Sequence, residues 1–189
     1  SSPNIIIAGG VGSFEPRKLS LEEAENYEGK NIFYSVNDKN KFKGKKVSIF
    51  GGGDSALDWA LELSKISNVT LIHRRDEFRG APHTLSEIKK LEKIGKIVIK
   101  TKYQLSKIEG DENLKSITIK NDDEKTMKID TDYILGFFGL IMKLGPIAEW
   151  GLNMNRKTIS VNTENFETNK KGIFAIGDIC TYPGKERLI

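Results

Sequence analysis

The stretch KKVSIFGGGDSALDWALELSKISNVTLIHRRDEFRG, residues 45–80, decides the fold of this 189-residue chain. The sequence KKVSIF (45–50) predicts a strand through its apolar residues, and the three glycines that follow predict a tight turn. Apolar residues at helical spacing then predict a helix from Asp54 to Ile66, and the run at 68–73 predicts a second strand. Because the helix joins the two strands through short connections, the strands are expected to be parallel, in a βαβ unit.

Further elements are expected on the C-terminal side of this unit. The sequence TLSE (84–87) matches a capping box ahead of a second helix that runs toward Lys93, with Gly95 as its stop. Alternating apolar residues then predict the strands of an antiparallel meander, in the sequences KIVIK (96–100), SITIK (116–120) and TMKID (126–130). The expected fold class is therefore α/β: a Rossmann-like dinucleotide-binding domain with a parallel sheet, helices and a small antiparallel meander.

Three apolar runs predict strands that are buried on both faces. They are residues 5–8, DYILGFFGL (132–140) and the start of GIFAIGD (172–178). Continuous rather than alternating apolar residues are typical of strands covered on both sides of a sheet.

The composition is that of an ordinary globular protein. Hydrophobic residues make up 38% and charged residues 30% of the chain, and the net charge is +4. The lysines are scattered among the acids, so no nucleic-acid partner is expected. The single cysteine, Cys180, excludes an internal disulfide and a cluster of thiolate metal ligands. Neither a membrane span nor a signal peptide is indicated, and a cytoplasmic location with no membrane partner is expected.

The glycine turn Gly51, Gly52 and Gly53 lies between a predicted strand and a predicted helix, which is the setting of a dinucleotide-binding fingerprint. Gly51 allows the tight turn, Gly53 lets the backbone approach a pyrophosphate, and Ala56 keeps the helix close to the sheet. Free amides at the start of the helix favour an anion there. A glycine turn that serves packing alone is the alternative.

The residues at the start of this helix, Asp54 and Ser55, also have two interpretations. Asp and Ser are good helix caps. In the nucleotide-binding interpretation they are neighbours of the ligand.

The end of the second predicted strand carries a cluster of basic residues. In the dinucleotide-binding fold the ribose 2′ position lies about 20 residues beyond the glycines, where NAD proteins have an acid and NADP proteins have arginine. Here that position is His73, followed by Arg74, Arg75 and Arg79. Guanidinium groups suit a dianionic phosphate better than a hydroxyl group. The sequence therefore predicts NADP(H) rather than NAD(H).

Two alternatives apply to this basic cluster. The arginines could form an exposed loop whose charges pair with Asp76 and Glu77. His73 could be a strand-end histidine with its own hydrogen-bond partners. The register with the glycine turn favours the ligand.

A second glycine-rich segment, AGGVGSFEP (8–16), also follows a predicted strand. Pro16 and the absence of helical periodicity afterwards leave no helix start to hold a phosphate, so this segment is not expected to bind a dinucleotide. Asp178, at the end of a later strand, could bond a polyol, although an acid that caps a turn is commoner. Phe14 stays a candidate contact.

The order of these motifs resembles that of thioredoxin-reductase-like flavoproteins, above all the ferredoxin/flavodoxin–NADP reductases built on the same plan. The similar segments cover almost the whole chain: IIIAGG.GSFEPRKL, GGGDSALDWAL, IHRRDEFR, LGPIAEWGL and FAIGDICTYPGK. The resemblance implies NADP(H) and FAD as cofactors, without a catalytic side chain or a metal. It implies that the pyrophosphate is contacted by Gly51, Gly52, Gly53, Asp54 and Ser55. It implies that the 2′-phosphate is contacted by His73, Arg74, Arg75 and Arg79. It implies that FAD is contacted by Phe14 and Asp178.

The resemblance also implies a division into domains. In that family an NADPH domain is inserted into a flavin domain, so residues 1–42 are expected to be a flavin-domain strand and connection. Residues 43–163 are expected to form the NADP(H)-binding domain and residues 164–189 to return to the flavin domain. The family's FAD pyrophosphate loop precedes the segment at which this chain starts. We therefore expect this chain alone to bind NADP(H), to hold FAD weakly or not at all, and to be inactive.

One departure from the family pattern bears on the electron acceptor. Thioredoxin reductases carry a redox Cys-x-x-Cys where this chain has YSVN (34–37). Without it the chain cannot reduce a disulfide by thiol exchange. The resemblance then implies ferredoxin or flavodoxin as acceptor, in a homodimer. A flavin reductase with another acceptor and a non-catalytic NADP-binding module are the alternatives.

Overall fold

The structure is a computed structural model that describes residues 3–10, 12, 15–141 and 143–185. Its helices are α1 (Asp54–Ser64) and α2 (Pro82–Lys93), with 3₁₀ turns at Glu22–Tyr27, Lys39–Phe42, Gly145–Glu149 and Gly177–Ile179. Its strands are β1 (Ile5–Ile7), β2 (Glu15–Pro16), β3 (Ile32–Phe33), β4 (Lys46–Gly51), β5 (Asn68–His73), β6 (Ile97–Thr101), β7 (Tyr103–Gly110), β8 (Leu114–Asn121), β9 (Thr126–Asp130), β10 (Tyr133–Phe137), β11 (Leu140–Ile141), β12 (Met154–Asn155), β13 (Thr158–Ser160), β14 (Ile173–Ala175) and β15 (Cys180–Thr181).

The chain divides into two compact units. Unit 1 comprises Ser1–Pro16 and Leu140–Ile189, and unit 2 comprises Arg17–Gly139. The assignment of residues 1–42, 43–163 and 164–189 to flavin and nucleotide domains stays a prediction. Neither helix among the described residues has the length and apolar character that a membrane crossing requires.

Unit 2 is built on a parallel sheet with the strand order β3-β10-β4-β5-β6. The helix α1 joins β4 to β5, which confirms the βαβ unit and the α/β class. Its buried face, which includes Ala56, Leu57 and Ala60, packs on the sheet through Ile49 and Leu71. Burial of each large apolar side chain contributes roughly 1.5 to 3 kcal/mol, so this contact stabilises the packing of α1 on β4 and β5.

An antiparallel meander, β7-β8-β9, belongs to a second core of unit 2. Ile117 and Ile119 of β8 lie in one buried cluster with Phe50 and Ile72 of the parallel sheet. The expectation that KIVIK belongs to this meander is wrong, because β6 pairs in parallel with β5. The first strand of the meander is instead β7, which was not predicted. Lys102, with a left-handed φ of 63°, lies between β6 and β7.

The second helix begins earlier than the capping box predicted. Its first residue is Pro82 and its N-cap is Ala81, without a side-chain cap. The box at 84–87 therefore lies inside α2, because proline at the first position already has the helical φ. Gly95, with a φ of 72°, follows the end of α2 as predicted. The helix α1 ends at Ser64, two residues before the expected end.

In unit 1, β1 pairs in parallel with β14. Ile7 is buried, but Ile5 is 40% and Ile6 66% exposed. The expectation of a strand covered on both faces is therefore wrong for β1, since its only strand partner within the described residues is β14 and only Ile7 enters the core of this unit. The same expectation is confirmed for β10, which lies between β3 and β4 and buries Ile134.

Candidate functional site

A cleft of about 580 Å³ lies in unit 2 at the carboxyl edge of the parallel sheet. Its walls include the ends of β4, β5 and β10 and the residues that follow these strands. In open parallel sheets this edge is where ligands bind, because the loops that leave the strands diverge there. The cleft brings together seven of the predicted site residues: Gly51, Gly52, Gly53, His73, Arg74, Arg75 and Arg79.

The glycine turn serves both packing and open space. A Cβ on Gly51 would lie 2.7 Å from the Phe137 carbonyl oxygen and 2.8 Å from the Ala56 Cβ, so the close approach of sheet and helix requires glycine there. A Cβ on Gly53 would meet nothing within 4 Å. Gly53 is also the N-cap of α1. The turn therefore leaves free space at the start of a helix, where backbone amides favour an anion.

The arginine loop, residues 74–80, is fixed to this turn and to the start of α1 by two hydrogen bonds at its C-terminal end. The Arg79 amide donates to the Gly52 carbonyl at 2.6 Å. The Ala81 amide donates to the Asp54 carboxylate at 2.8 Å. Gly80 lies so close to α1 that a Cβ would approach Leu57 Cδ1 to 2.1 Å. The loop is therefore held in place before any ligand arrives, which lowers the entropic cost of binding.

The three arginines of this loop line the cleft and do not pair with acidic side chains of the described residues. Arg74, Arg75 and Arg79 are exposed, and no ion pair joins any of them to an acid in the ranges that the structure describes. Asp76 instead pairs with Lys102 at 2.8 Å, and this hydrogen bond raises the pKa of Lys102. The alternative in which the arginines pair with Asp76 and Glu77 is therefore not what the structure shows.

The remaining predicted residues have other positions. Asp54 and Ser55 lie in the first turn of α1 and do not line the cleft. Asp178 is exposed in the 3₁₀ turn of unit 1, and Phe14 lies outside the described residues. Cys180 is buried in unit 1 and donates its thiol hydrogen to the Gly177 carbonyl. The described residues contain no group of metal-ligating side chains.

Another part of the cleft wall was not predicted from the sequence. It is formed by the segment 17–21, by Tyr103–Leu105 and by Phe138. The segment 17–21 has no helical or strand periodicity, so nothing in the sequence marked Arg17 as a cleft residue. Tyr103 was missed because β7 was not predicted.

A tyrosine holds this wall at the position where the family resemblance placed the first redox cysteine. The Leu19 amide donates to the Tyr34 hydroxyl at 3.0 Å, and that hydroxyl donates to Glu28 at 2.8 Å. Burial and the Glu28 carboxylate raise the pKa of Tyr34 to about 12. Burial also raises the pKa of Glu28, but its hydrogen bonds with Lys18 and Tyr34 outweigh burial and lower it. Tyr34 is therefore a structural residue of unit 2.

Residues 2–188 match the family profile described as pyridine nucleotide-disulphide oxidoreductase. The chain belongs to this family. Among curated relatives, the ferredoxin–NADP reductase of Pelagibacter ubique is 68% identical over 188 residues, which are 100% of this chain and 56% of that protein. The ferredoxin–NADP reductase of Orientia tsutsugamushi (strain Ikeda) is 48% identical over 98% of this chain and 56% of that protein. This member of the pyridine nucleotide-disulphide oxidoreductase family thus spans just over half the length of these relatives.

Solved structures of thioredoxin reductases share the fold of this family member. That of Lactococcus lactis superposes with a TM-score of 0.81 at 28% identity, over 98% of this chain and 59% of that chain. That of T. acidophilum gives a TM-score of 0.81 at 26% identity, over 94% and 58%. The expected resemblance to thioredoxin-reductase-like proteins and ferredoxin–NADP reductases is confirmed.

Proposed function

We propose that this chain is the NADP(H)-binding part of an FAD-dependent ferredoxin–NADP reductase. One observation carries the proposal: Arg74, Arg75 and Arg79 lie unpaired, within the described residues, on the same cleft as a glycine turn at the start of a helix. The curated relatives named ferredoxin–NADP reductase support the activity.

The cleft has one feature suited to each of the two phosphate-bearing parts of NADP(H), the pyrophosphate and the 2′-phosphate. The open space at Gly53 and the amides of the first turn of α1 would take the pyrophosphate. The three arginines, which follow β5, would take the 2′-phosphate, and their forked donors suit its oxygens. NAD(H) lacks this phosphate, so the loop would discriminate between the two coenzymes.

The chemistry that this binding would support needs no acid or base from the chain. When bound, NADPH supplies a hydride, and FAD passes the electrons on singly to the acceptor. The residues of unit 2 would bind and orient the nucleotide. FAD contacts at Asp178 and Phe14 belong to the proposal and rest on the family resemblance.

Ferredoxin is the proposed acceptor, with flavodoxin as a second acceptor, because the curated relatives are named for ferredoxin and position 34 carries Tyr34 rather than a cysteine. A thiol exchange centre is thus absent from YSVN (34–37). We also propose a homodimer, a cytoplasmic location and no membrane or nucleic-acid partner.

Calorimetric titration of the chain with NADP⁺ and NAD⁺ tests the proposal. We expect NADP⁺ to bind more tightly. The substitution Arg75→Ala should weaken NADP⁺ binding by roughly 1.5 to 3 kcal/mol, the value of a hydrogen bond to a charged group, and leave NAD⁺ binding nearly unchanged. Equal binding of both coenzymes by the unaltered chain would reject the assignment.

The matched control for Arg75→Ala is Arg156→Ala. Arg156 is an exposed arginine of unit 1 that does not line the cleft. Its removal takes away the same charge, so a comparable loss of NADP⁺ affinity would show that net charge, and not the arginine loop, accounts for the effect.

A further inference from the structure

The glycine turn and the arginine loop contact each other through a third element, the side chain of His73. His73 is the last residue of β5, and its ring is stacked on Phe78 of the loop, with centroids 5.2 Å apart and an interplanar angle of 24°. On its other side is Gly52. A Cβ on Gly52 would lie 2.1 Å from His73 Cε1 and 2.4 Å from each ring nitrogen. The ring therefore occupies the space between the turn and the loop.

The backbone of Gly52 does not itself require glycine. Its φ is not in the left-handed range, unlike that of Gly51 or Gly10. A Cβ on Gly53, the next residue, would meet open space. A side chain at position 52 would meet the imidazole of His73, and that ring is itself stacked on Phe78.

The ring is poorly placed to bind an anion. Its Nε2 atom is buried and has no hydrogen-bond partner among the described residues. Burial lowers the pKa of His73, and the charges of Arg75, Arg74 and Arg79 lower it further, against a hydrogen bond with the Glu77 backbone that raises it. The lowered pKa favours the neutral form of the imidazole.

We propose that His73 is a positioning residue whose ring sets the separation between the glycine turn and the arginine loop, and that it is not a ligand of the phosphate. This inference rests on the proposed NADP(H) site. The Arg79 amide donates a hydrogen bond to the Gly52 carbonyl at 2.6 Å. The ring and this hydrogen bond together determine the position of the Arg79 backbone, from which its side chain extends. The ring also contacts Phe78, which is the residue that precedes Arg79.

A double-mutant cycle between positions 52 and 73 tests the contact. Gly52→Ala, His73→Ala and the double variant are titrated with NADP⁺ by calorimetry. In the unaltered background, Gly52→Ala should weaken binding by about tenfold or more, because the new methyl group displaces the ring. In the His73→Ala background the same change should cost less than about twofold, since residues in contact are not additive. Equal costs in both backgrounds would overturn the proposal.

The same four proteins are compared by thermal unfolding without nucleotide. Gly52→Ala should lower the Tm of the unaltered chain more than that of His73→Ala. This readout separates the two proposals. If the unaltered chain binds NADP⁺ and NAD⁺ equally, the proposed function fails, and the Tm values still decide whether His73 separates the turn from the loop: unequal costs support that role, and equal costs overturn it.

The pH dependence distinguishes a positioning residue from a phosphate ligand. NADP⁺ affinity is measured from about pH 5 to 8, the range in which histidine changes charge, for the unaltered chain and His73→Asn. The phosphate's own ionisation near pH 6 affects both proteins alike. The ratio of the Kd of His73→Asn to the Kd of the unaltered chain should stay constant with pH. A ratio that grows as the pH falls would show that a protonated His73 binds the phosphate, and would overturn the proposal.

His83→Asn is the control for this series. His83 is the other histidine of the chain, exposed in the first turn of α2 and not part of the cleft wall. Its replacement removes the same titratable group and should leave the Kd for NADP⁺ unchanged at every pH. If the pH dependence of the NADP⁺ affinity disappears in His83→Asn but persists in His73→Asn, the titrating group is His83. That result would support the proposal that His73 is not a ligand of the phosphate.

Discussion

Glycines lie at or shortly after the ends of two strands of this chain, β1 and β4, and the structure of the two segments differs. After β4, Gly53 is the N-cap of α1 and faces open space in the cleft. After β1, no helix begins within the described residues before the 3₁₀ turn at Glu22–Tyr27, and Gly12 forms an isolated bridge with Lys143. Glycines at the end of a strand therefore predict an anion site only where a helix follows them.

The largest effect is expected from a methyl group at the first glycine of the turn. Gly51→Ala places a Cβ against the Phe137 carbonyl and Ala56, and overpacking of this kind costs roughly 1 to 3 kcal/mol. Because the contact sets where α1 begins, NADP⁺ affinity should fall together with the free energy of unfolding. Chemical denaturation and calorimetry measure the two quantities.

Gly10→Ala is the corresponding change after β1. Gly10 has a φ of 57° and open space around its Cα, so alanine should cost about 1 kcal/mol through backbone strain alone. NADP⁺ affinity should not change. A loss of nucleotide affinity as large as that of Gly51→Ala would mean that the two glycine endings are not functionally different.

An intermediate effect is expected at the carboxylate that holds the arginine loop. Asp54→Ala removes the acceptor of the Ala81 amide, and the loss of a capping-type hydrogen bond costs about 1 kcal/mol. Since this bond also fixes the end of the loop, the preference for NADP⁺ over NAD⁺ should fall. Ser55→Ala, in the same turn of α1, serves as control and should retain that preference.

The smallest effect is expected from pH. The pKa of His73 is lowered in the folded chain, so its neutral form contributes stability above the unfolded pKa near 6.5, and this contribution is lost as the pH falls through the folded pKa. The Tm of the unaltered chain should therefore decrease below about pH 6.5 more steeply than the Tm of His73→Asn. Parallel Tm curves for the two proteins would show that His73 is equally easy to protonate when folded.

The βαβ unit and the cleft edge could be predicted because their signals are local. The apolar run of β4, the glycines and the helical spacing of α1 lie within 20 residues, and each follows from backbone geometry. The arginine loop followed from its register with the glycine turn. These features need no knowledge of distant contacts.

The features that were missed depend on tertiary contacts. KIVIK alternates as an edge strand of either sheet would, and only its pairing with β5 decides between them. The exposure of Ile5 and Ile6 depends on which strands flank β1. The role of Tyr34 in holding the segment 17–21 depends on the hydrogen bond from Leu19, which is 15 residues away in sequence. The start of α2 was predicted from the capping-box match at 84–87, but in the structure the helix begins at Pro82, whose φ already suits the first helical position.

The ends of unit 2 meet. The Arg17 amide donates to the Gly139 carbonyl at 3.0 Å, and every residue that lines the cleft lies between these two positions. A continuous segment whose first and last residues adjoin can be grafted into a surface turn of an unrelated host protein, or permuted by joining its ends, without stretching the backbone. Residues 17–139 are therefore a candidate for such a transfer, and under the proposed function the host protein should acquire a preference for NADP⁺ over NAD⁺.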